Sequence, residues 1–286
     1  MAEPTGVEVK KKRKIRSGGR LRSKNNRCRN FKKSDCWRIY HNNIRGYDSK
    51  QISLKAILST VKPNVITLNE TLYKGNKKLL IDGFKTYPRN RSGNSGGGIV
   101  TAVVSDENDN TVKVKEGEGN DEFIITRHSQ FLTPVNIINV YGESECRTRN
   151  NEIEERFNRL LGEITKIESE GELVILIGDL NKHIGDLVQG NSSKVSYGGK
   201  LLRDFLEEKE YVLVNSMSKV IGGPFTRYDP SVPNRNDMKS CLDLIIISKS
   251  LCKYLKKIEI DKDFRFTAKR ASNRSDLSLR SLCYNL

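Results

Sequence analysis

Residues 173–185 read LVILIGDLNKHIG. Five apolar residues, Leu173 to Ile177, give way to Asp179, Asn181 and His183 at alternate positions. An apolar run of this length between polar segments reads as a buried strand. Alternation places the three polar side chains on one side of an extended backbone. The stretch therefore predicts a core strand that presents polar groups at its C-terminal end.

The same pattern recurs along the chain. Asn43 closes CWRIYHNN (36–43), Glu70 follows VITLN (65–69) and Tyr141 follows NIINV (136–140). Asp243 opens DLIII (243–247), and Asp276 lies in NRSDLSL (273–279). An isolated Asp or Asn after a strand is ordinarily a turn former or helix cap. An ordered set of them is another matter, because ligand sites of α/β sheets gather at strand ends.

The segments between these ends alternate in type. SLKAILSTVK (53–62) carries apolar residues at 54, 57, 58 and 61, a helical face, and Pro63 stops it. RSGNSGGG (91–98) is a glycine-rich turn into IVTAVV (99–104); it lacks the Lys-Ser/Thr of a phosphate-binding P-loop. TVKVK, EFIIT and VNIINVY follow as closely spaced strands, which favours antiparallel pairing. Residues 151–168, apolar at 153, 157, 160, 161, 164 and 167, predict an amphipathic helix. KLLRDFLEEKE (200–210) is a helix, while YVLVNS (211–216) and LDLIIIS (242–248) are strands. With no internal repeat and no linker after residue 36, the chain reads as one α/β domain over 36–286, with mixed sheets and outer helices in two or four layers.

Charge is distributed unevenly. Of the net +16, most belongs to residues 1–40, which hold 14 Lys/Arg against Glu3, Glu8 and Asp35. A tail over 1–35 so poor in apolar residues is expected to be disordered and to bind DNA, or RNA, by counterion release. Lys10, Lys11, Lys12, Arg13 and Lys14 form its densest cluster and suit nuclear import. No apolar run approaches the roughly 20 residues that span a bilayer, and the N-terminus has no secretory signal. Cysteines 28, 36, 146, 241, 252 and 283 lack CxxC or zinc-ligand spacing. They are expected to be reduced thiols in a nuclear or cytoplasmic protein that is not secreted and has no membrane partner.

The order NNIRG, LNET, NVYG, GDLN, SCLDLIII and SDL resembles the endonuclease/exonuclease/phosphatase superfamily. It is most similar to the endonuclease domain of non-LTR (LINE-type) retrotransposons, over about Trp37 to Leu279. The resemblance implies a four-layer αββα sandwich of two mixed β-sheets flanked by helices. It also implies Mg²⁺-dependent (or Mn²⁺-dependent) hydrolysis of a DNA phosphodiester, by a monomer or by part of a larger reverse transcriptase polyprotein. Glu70 and Asn43 are the implied metal ligands. Asp179 would orient or deprotonate water, Asn181 and Tyr141 would stabilise charge on the phosphate, and Asp243 would hold an imidazole. Arg45 stands where repair-type members carry an acidic ligand and retrotransposon members a basic one, so it is assigned to nucleic-acid contact.

One departure is sharp. The resemblance calls for Ser-Asp-His at the last motif, and the chain reads Ser275-Asp276-Leu277. The chain stops nine residues later, where a terminal strand should finish packing, so a shortened C-terminus is one expectation. His41 shares a side with Asn43, His128 is placed in a hairpin turn, and the turn after GDLN carries His183 outward. Each is expected to be an exposed or structurally bonded histidine and not a substitute. Two functions then compete: an impaired target-nicking endonuclease, or a catalytically inactive DNA-binding remnant. A superfamily phosphatase is a third and weaker reading, opposed by the basic tail.

Overall fold

A computed structural model describes residues 37–91, 97–105, 110–145, 148–188, 194–218, 220–222, 225–228, 239–260 and 279–284. The strands are β1 (Trp37–Asn43), β2 (Val65–Asn69), β3 (Phe84–Arg89), β4 (Ile99–Val104), β5 (Thr111–Glu116), β6 (Glu122–His128), β7 (Val135–Tyr141) and β8 (Leu173–Asp179). They continue as β9 (Tyr211–Leu213), β10 (Val220–Ile221), β11 (Arg227–Tyr228), β12 (Lys239–Ser240), β13 (Asp243–Ser248), β14 (Leu255–Ile260) and β15 (Leu279–Tyr284). The helices are α1 (Gln51–Val61), α2 (Asn150–Ser169) and α3 (Tyr197–Glu208).

The strands form two large sheets and a small ribbon. One sheet has the order β10-β14-β15-β1-β2-β4-β3, the other β5-β6-β7-β8-β13-β9, and β11 pairs with β12. Both sheets are mixed. In the first, β1 runs parallel to β2 across α1 while β4 and β15 are antiparallel to their neighbours. In the second, β7 runs parallel to β8 across α2, and β6 and β13 flank them antiparallel. Parallel neighbours need a crossover, and both crossovers here are the helices that the 3.6-residue periodicity predicts.

Three apolar clusters build the layers. Tyr40, Leu54, Ile57, Ile66, Leu68 and Val100 join α1 to the outer face of the first sheet. Leu160, Ile164, Val174, Leu176, Leu202 and Ile246 join α2 and α3 to the outer face of the second. Ile39, Val65, Val135, Ile137, Ile175, Ile177 and Ile245 fill the seam between the sheets. Both faces of each central strand are covered, which is why these strands read as continuous apolar runs. The architecture is the four-layer αββα sandwich expected. Truncating any of the seam isoleucines to alanine costs about 2–5 kcal/mol.

Several local expectations are corrected. YVLVNS is a strand only to Leu213; Val214–Ser216 is a single 3-10 turn, with the Met217 N–H returning to the Val214 carbonyl. His128 is the last residue of β6 and not part of a turn: it is buried, and its ring bonds Thr111 and Thr126. β3 and β14 were not foreseen, and neither was the position of β15, which lies between β14 and β1 and pairs with both. Among the described residues no helix is long and apolar enough to cross a membrane.

Candidate active site

The seam between the sheets changes character along its length, and strand alternation shows how. On β1 the inward series is Ile39, His41, Asn43; on β2 it is Val65, Thr67, Asn69. On β7 it runs Val135, Ile137, Asn139, Tyr141, on β8 Ile175, Ile177, Asp179, and on the antiparallel β13 Ile247, Ile245, Asp243. Each series starts apolar and ends polar, and all five end together. Hydrogen bonds between the sheets tie that end: Asn69 Nδ2 donates to Asn139 Oδ1 at 3.0 Å, and Asn69 Oδ1 accepts from the Asp179 N–H at 2.8 Å.

Asn43 is the hub. Its Nδ2 donates to Glu70 Oε1 at 3.0 Å and to Asp179 Oδ2 at 2.8 Å, so one amide from β1 touches both carboxylates. Tyr141 donates its hydroxyl to the same Glu70 oxygen at 2.9 Å. Burial, followed by the charges of Glu70 and Asp179, holds the Tyr141 phenol well above the usual tyrosine range, so it remains a donor. Asp179 is buried, and desolvation first and the Asp243 charge second raise its proton affinity; the bonds from Asn43 and from the Asn181 N–H oppose this.

Backbone geometry aims these groups. Arg45, Glu70 and Asn181, each just beyond a strand end, have φ of 45°, 51° and 52°. That left-handed region is uncommon for residues other than glycine and marks functional positions often enough to be noted. Around Glu70 it is held by the Gly46 N–H on the Glu70 carbonyl, the Tyr47 N–H on Thr71 and the Thr71 N–H on Gly98. At Asn181 the turn sends Nδ2 to the Gly142 carbonyl at 2.8 Å. Gly178 is required by the close approach of β7, since a Cβ there would stand 1.8 Å from the Val140 carbonyl oxygen.

Of the residues singled out in the sequence, Asn43, Arg45, Glu70, Tyr141, Asp179, Asn181 and Asp243 meet at this end of the seam. Arg45 Nε lies 4.0 Å from Glu70 Oε2. Asp276, with Leu277, and the tail residues Lys10, Lys11, Lys12, Arg13 and Lys14 lie outside the described residues. The backbone of His183 is tied to Ser196 by bonds of 3.1 and 2.9 Å, closing the turn after GDLN. His41, expected to be exposed or structurally bonded, is buried, and its ring bonds Asp243, a pairing that the sequence reading did not name. The clue was present in the spacing, since His41 stands two residues before Asn43 on the same face. Asn69, Asn139 and Thr226 were also missed. Thr226 Oγ1 accepts from the N–H groups of Leu242 and Asp243, both at 3.0 Å, and Thr226 has no motif to announce it.

Among the described residues no three His, Cys, Asp or Glu side chains are grouped to hold a metal. The donor set differs from such a cluster in using an amide. Asn43 Oδ1 is buried without a hydrogen-bond partner, on the side chain that joins Glu70 to Asp179. A buried carbonyl oxygen without a donor carries a desolvation cost, and an amide oxygen of this kind, on the side chain whose nitrogen bonds two carboxylates, is a ligand type that a hard divalent cation such as Mg²⁺ takes together with carboxylate oxygen.

No protein-family model matches the sequence. No curated protein matches it either. Solved structures do match. An AP endonuclease from Archaeoglobus fulgidus is 17% identical, covering 87% of this chain and 100% of that one, with a TM-score of 0.63. The 3′ phosphatase NExo from Neisseria, bound to product DNA hairpin, is 16% identical over 87% and 99% of the two chains, with a TM-score of 0.63. The endonuclease domain of TRAS1, a telomere-specific non-LTR retrotransposon, is 12% identical over 87% and 99%, with a TM-score of 0.62. These likenesses establish the fold: the chain has the same four-layer sandwich as these solved structures.

Proposed function

We propose that this protein is a divalent-metal-dependent nuclease that hydrolyses a phosphodiester in DNA, acting as a target-nicking endonuclease. The observation that carries this is the partnerless buried Oδ1 of Asn43, on the amide whose nitrogen bonds both Glu70 and Asp179. The solved structures of like fold include enzymes named for work on DNA, one of them with a DNA hairpin bound. Glu70 and Asn43 hold the cation, with Mg²⁺ preferred and Mn²⁺ acceptable. Bound there, it supplies positive charge to a phosphoryl oxygen.

This chain's own groups then divide the remaining work. Asp179, buried and raised in proton affinity, is suited to orient the attacking water or take its proton. Asn181 Nδ2, with one hydrogen on the Gly142 carbonyl, has a second for the phosphate, and Tyr141 gives its hydroxyl hydrogen there once Glu70 turns to the cation. Arg45 contacts the phosphate backbone, and the Lys- and Arg-rich sequence 1–35 adds sequence-independent affinity for DNA or RNA. Its lysine cluster supports a nuclear destination. A leucine at 277 in place of a histidine removes one proton-transfer group, so hydrolysis is slowed, by about 10²–10⁴-fold where general acid–base help is lost. The same leucine favours a second reading, a DNA-binding remnant without catalysis.

Nicking of supercoiled plasmid by the full chain decides between them. The nuclease reading expects slow conversion to open circles in Mg²⁺, none in EDTA, and loss with Glu70→Gln. DNA binding without nicking, by both the wild type and Leu277→His, would establish the remnant instead.

A further inference from the structure

Asp243 has an imidazole partner, and it comes from the first strand. His41 Nε2 lies 3.1 Å from Asp243 Oδ1, and His41 Nδ1 lies 3.0 Å from Thr67 Oγ1. The imidazole is sealed from solvent, its side chain 0% exposed and that of Asp243 6%. An ionised carboxylate only accepts, so Nε2 donates to it; in the neutral ring, the Thr67 hydroxyl then donates to Nδ1. Both ring nitrogens are satisfied, and one tautomer is selected.

The arrangement is paired. Asp179 and Asp243 are Cα partners on β8 and β13, and His41 and Asn43 are alternate residues of β1. His41 donates to Asp243 while Asn43 donates to Asp179. Two donors spaced by one strand repeat therefore meet two acceptors on the opposite sheet, each carboxylate receiving its own. This fixes which oxygen of each carboxylate faces inward and leaves each with a separate source of compensation for its buried charge.

We infer that His41 is the positioning residue for Asp243, so that the imidazole–carboxylate pair expected between residues 243 and 277 is made between 243 and 41. The role rests on the nuclease reading proposed above. Because both nitrogens are engaged and the ring is sealed, His41 passes no proton to substrate. It acts through Asp243, which it holds beside Asp179. Leucine at 277 thus removes a proton-transfer group without leaving Asp243 unpartnered.

Two measurements on the full chain test this. Imidazole NMR of ¹⁵N-histidine-labelled protein should show an Nε2–H proton, slow to exchange, that is lost in Asp243→Ala. Plasmid nicking in Mg²⁺ should show His41→Met lowering kcat about 10–100-fold, the size typical of supporting partners in metal sites, with KM for DNA unchanged. His41→Gln, whose amide nitrogen can donate from the Nε2 position, should recover most of that loss. A purely structural histidine would lower the melting temperature in both variants and leave kcat of the folded protein alone. His41→Met nicking at the wild-type rate, or a protected ring proton surviving in Asp243→Ala, overturns the proposal. Failure of the wild type to nick at all overturns the nuclease reading, and with it the positioning role; the ring proton would then report a structural bond only.

Discussion

Asp179 and Asp243 stand opposite each other in the β8–β13 ladder, two buried carboxylates as Cα partners. Like charges so placed repel, and burial withholds the water that would screen them. Asp179→Asn removes one charge, and the Asn43 amide can turn its partnerless Oδ1 toward the new NH₂. We expect this variant to lose nicking by about 10²–10⁴-fold while melting no lower than the wild type in EDTA. A fall of several degrees in that melt would show that the pair stabilises the fold.

Cation binding at Glu70 and Asn43 should be visible without DNA. A ligand that binds only the folded state at ten times its Kd adds about 1.4 kcal/mol. Thermal melts should therefore rise with millimolar Mg²⁺ in the wild type and not in Glu70→Gln. Equal shifts in the two proteins would place the ion elsewhere.

Two glycine substitutions should have opposite signs. In Gly178→Ala the new Cβ meets backbone, the Val140 carbonyl oxygen at 1.8 Å, so the strands must part. A loss of about 3 kcal/mol or more follows from overpacking of that kind. Gly162 lies within α2, exposed and with nothing within 4 Å of its Cβ position. Gly162→Ala should add up to about 1 kcal/mol from helix propensity alone. Urea titrations of both variants provide the check.

Acid should weaken the fold partly through His128. Burial pushes its imidazole down to about 3 from the ordinary 6.5. The unfolded chain therefore binds a proton that the folded one refuses. Stability is intact above pH 6.5 and declines as pH falls toward 3. At pH 5 the penalty is about 2 kcal/mol. His128→Gln should show a correspondingly shallower decline between pH 7.5 and 5, whatever its absolute stability; an unchanged decline would assign the acid sensitivity to other groups.

DNA contacts should separate by salt dependence. Arg45→Ala should lower the slope of log affinity against log salt by about 1, as expected for one phosphate contact. Deleting residues 1–36 should lower it by several times that. Filter binding or fluorescence anisotropy at a series of salt concentrations distinguishes the two, and an unchanged slope after deletion removes the tail from the interface.

The layers were legible from the chain because every central strand is covered on both faces and therefore writes itself as an apolar run. LVILI and DLIII are visible for that reason, as are the two helices that join parallel neighbours. β14, LKKIEI, alternates charge with apolar residues and sits near the sheet edge, so it resembles any exposed stretch. The strand ends announced Asn43, Glu70, Asp179 and Asp243. What they could not announce was pairing. That His41 finds Asp243, 202 residues away, depends on which sheet faces which, and no local pattern contains that. The left-handed turns at Arg45 and Glu70 were hidden as well, since neither residue type favours them; tertiary hydrogen bonds impose them.

The alternation along β1 also acts as a proofreader of folding. Ile39, His41 and Asn43 face the seam, whereas Tyr40 and Asn42 lie on the other face, with Tyr40 packed toward α1. A slip of a single residue against β2 would turn Tyr40 and Asn42 inward and expel every polar group that β1 contributes. Even a compact chain misaligned in this way would offer no β1 donor to either carboxylate. A nicking assay would therefore also report on strand alignment, and an inactive but folded preparation should be examined first for that slip.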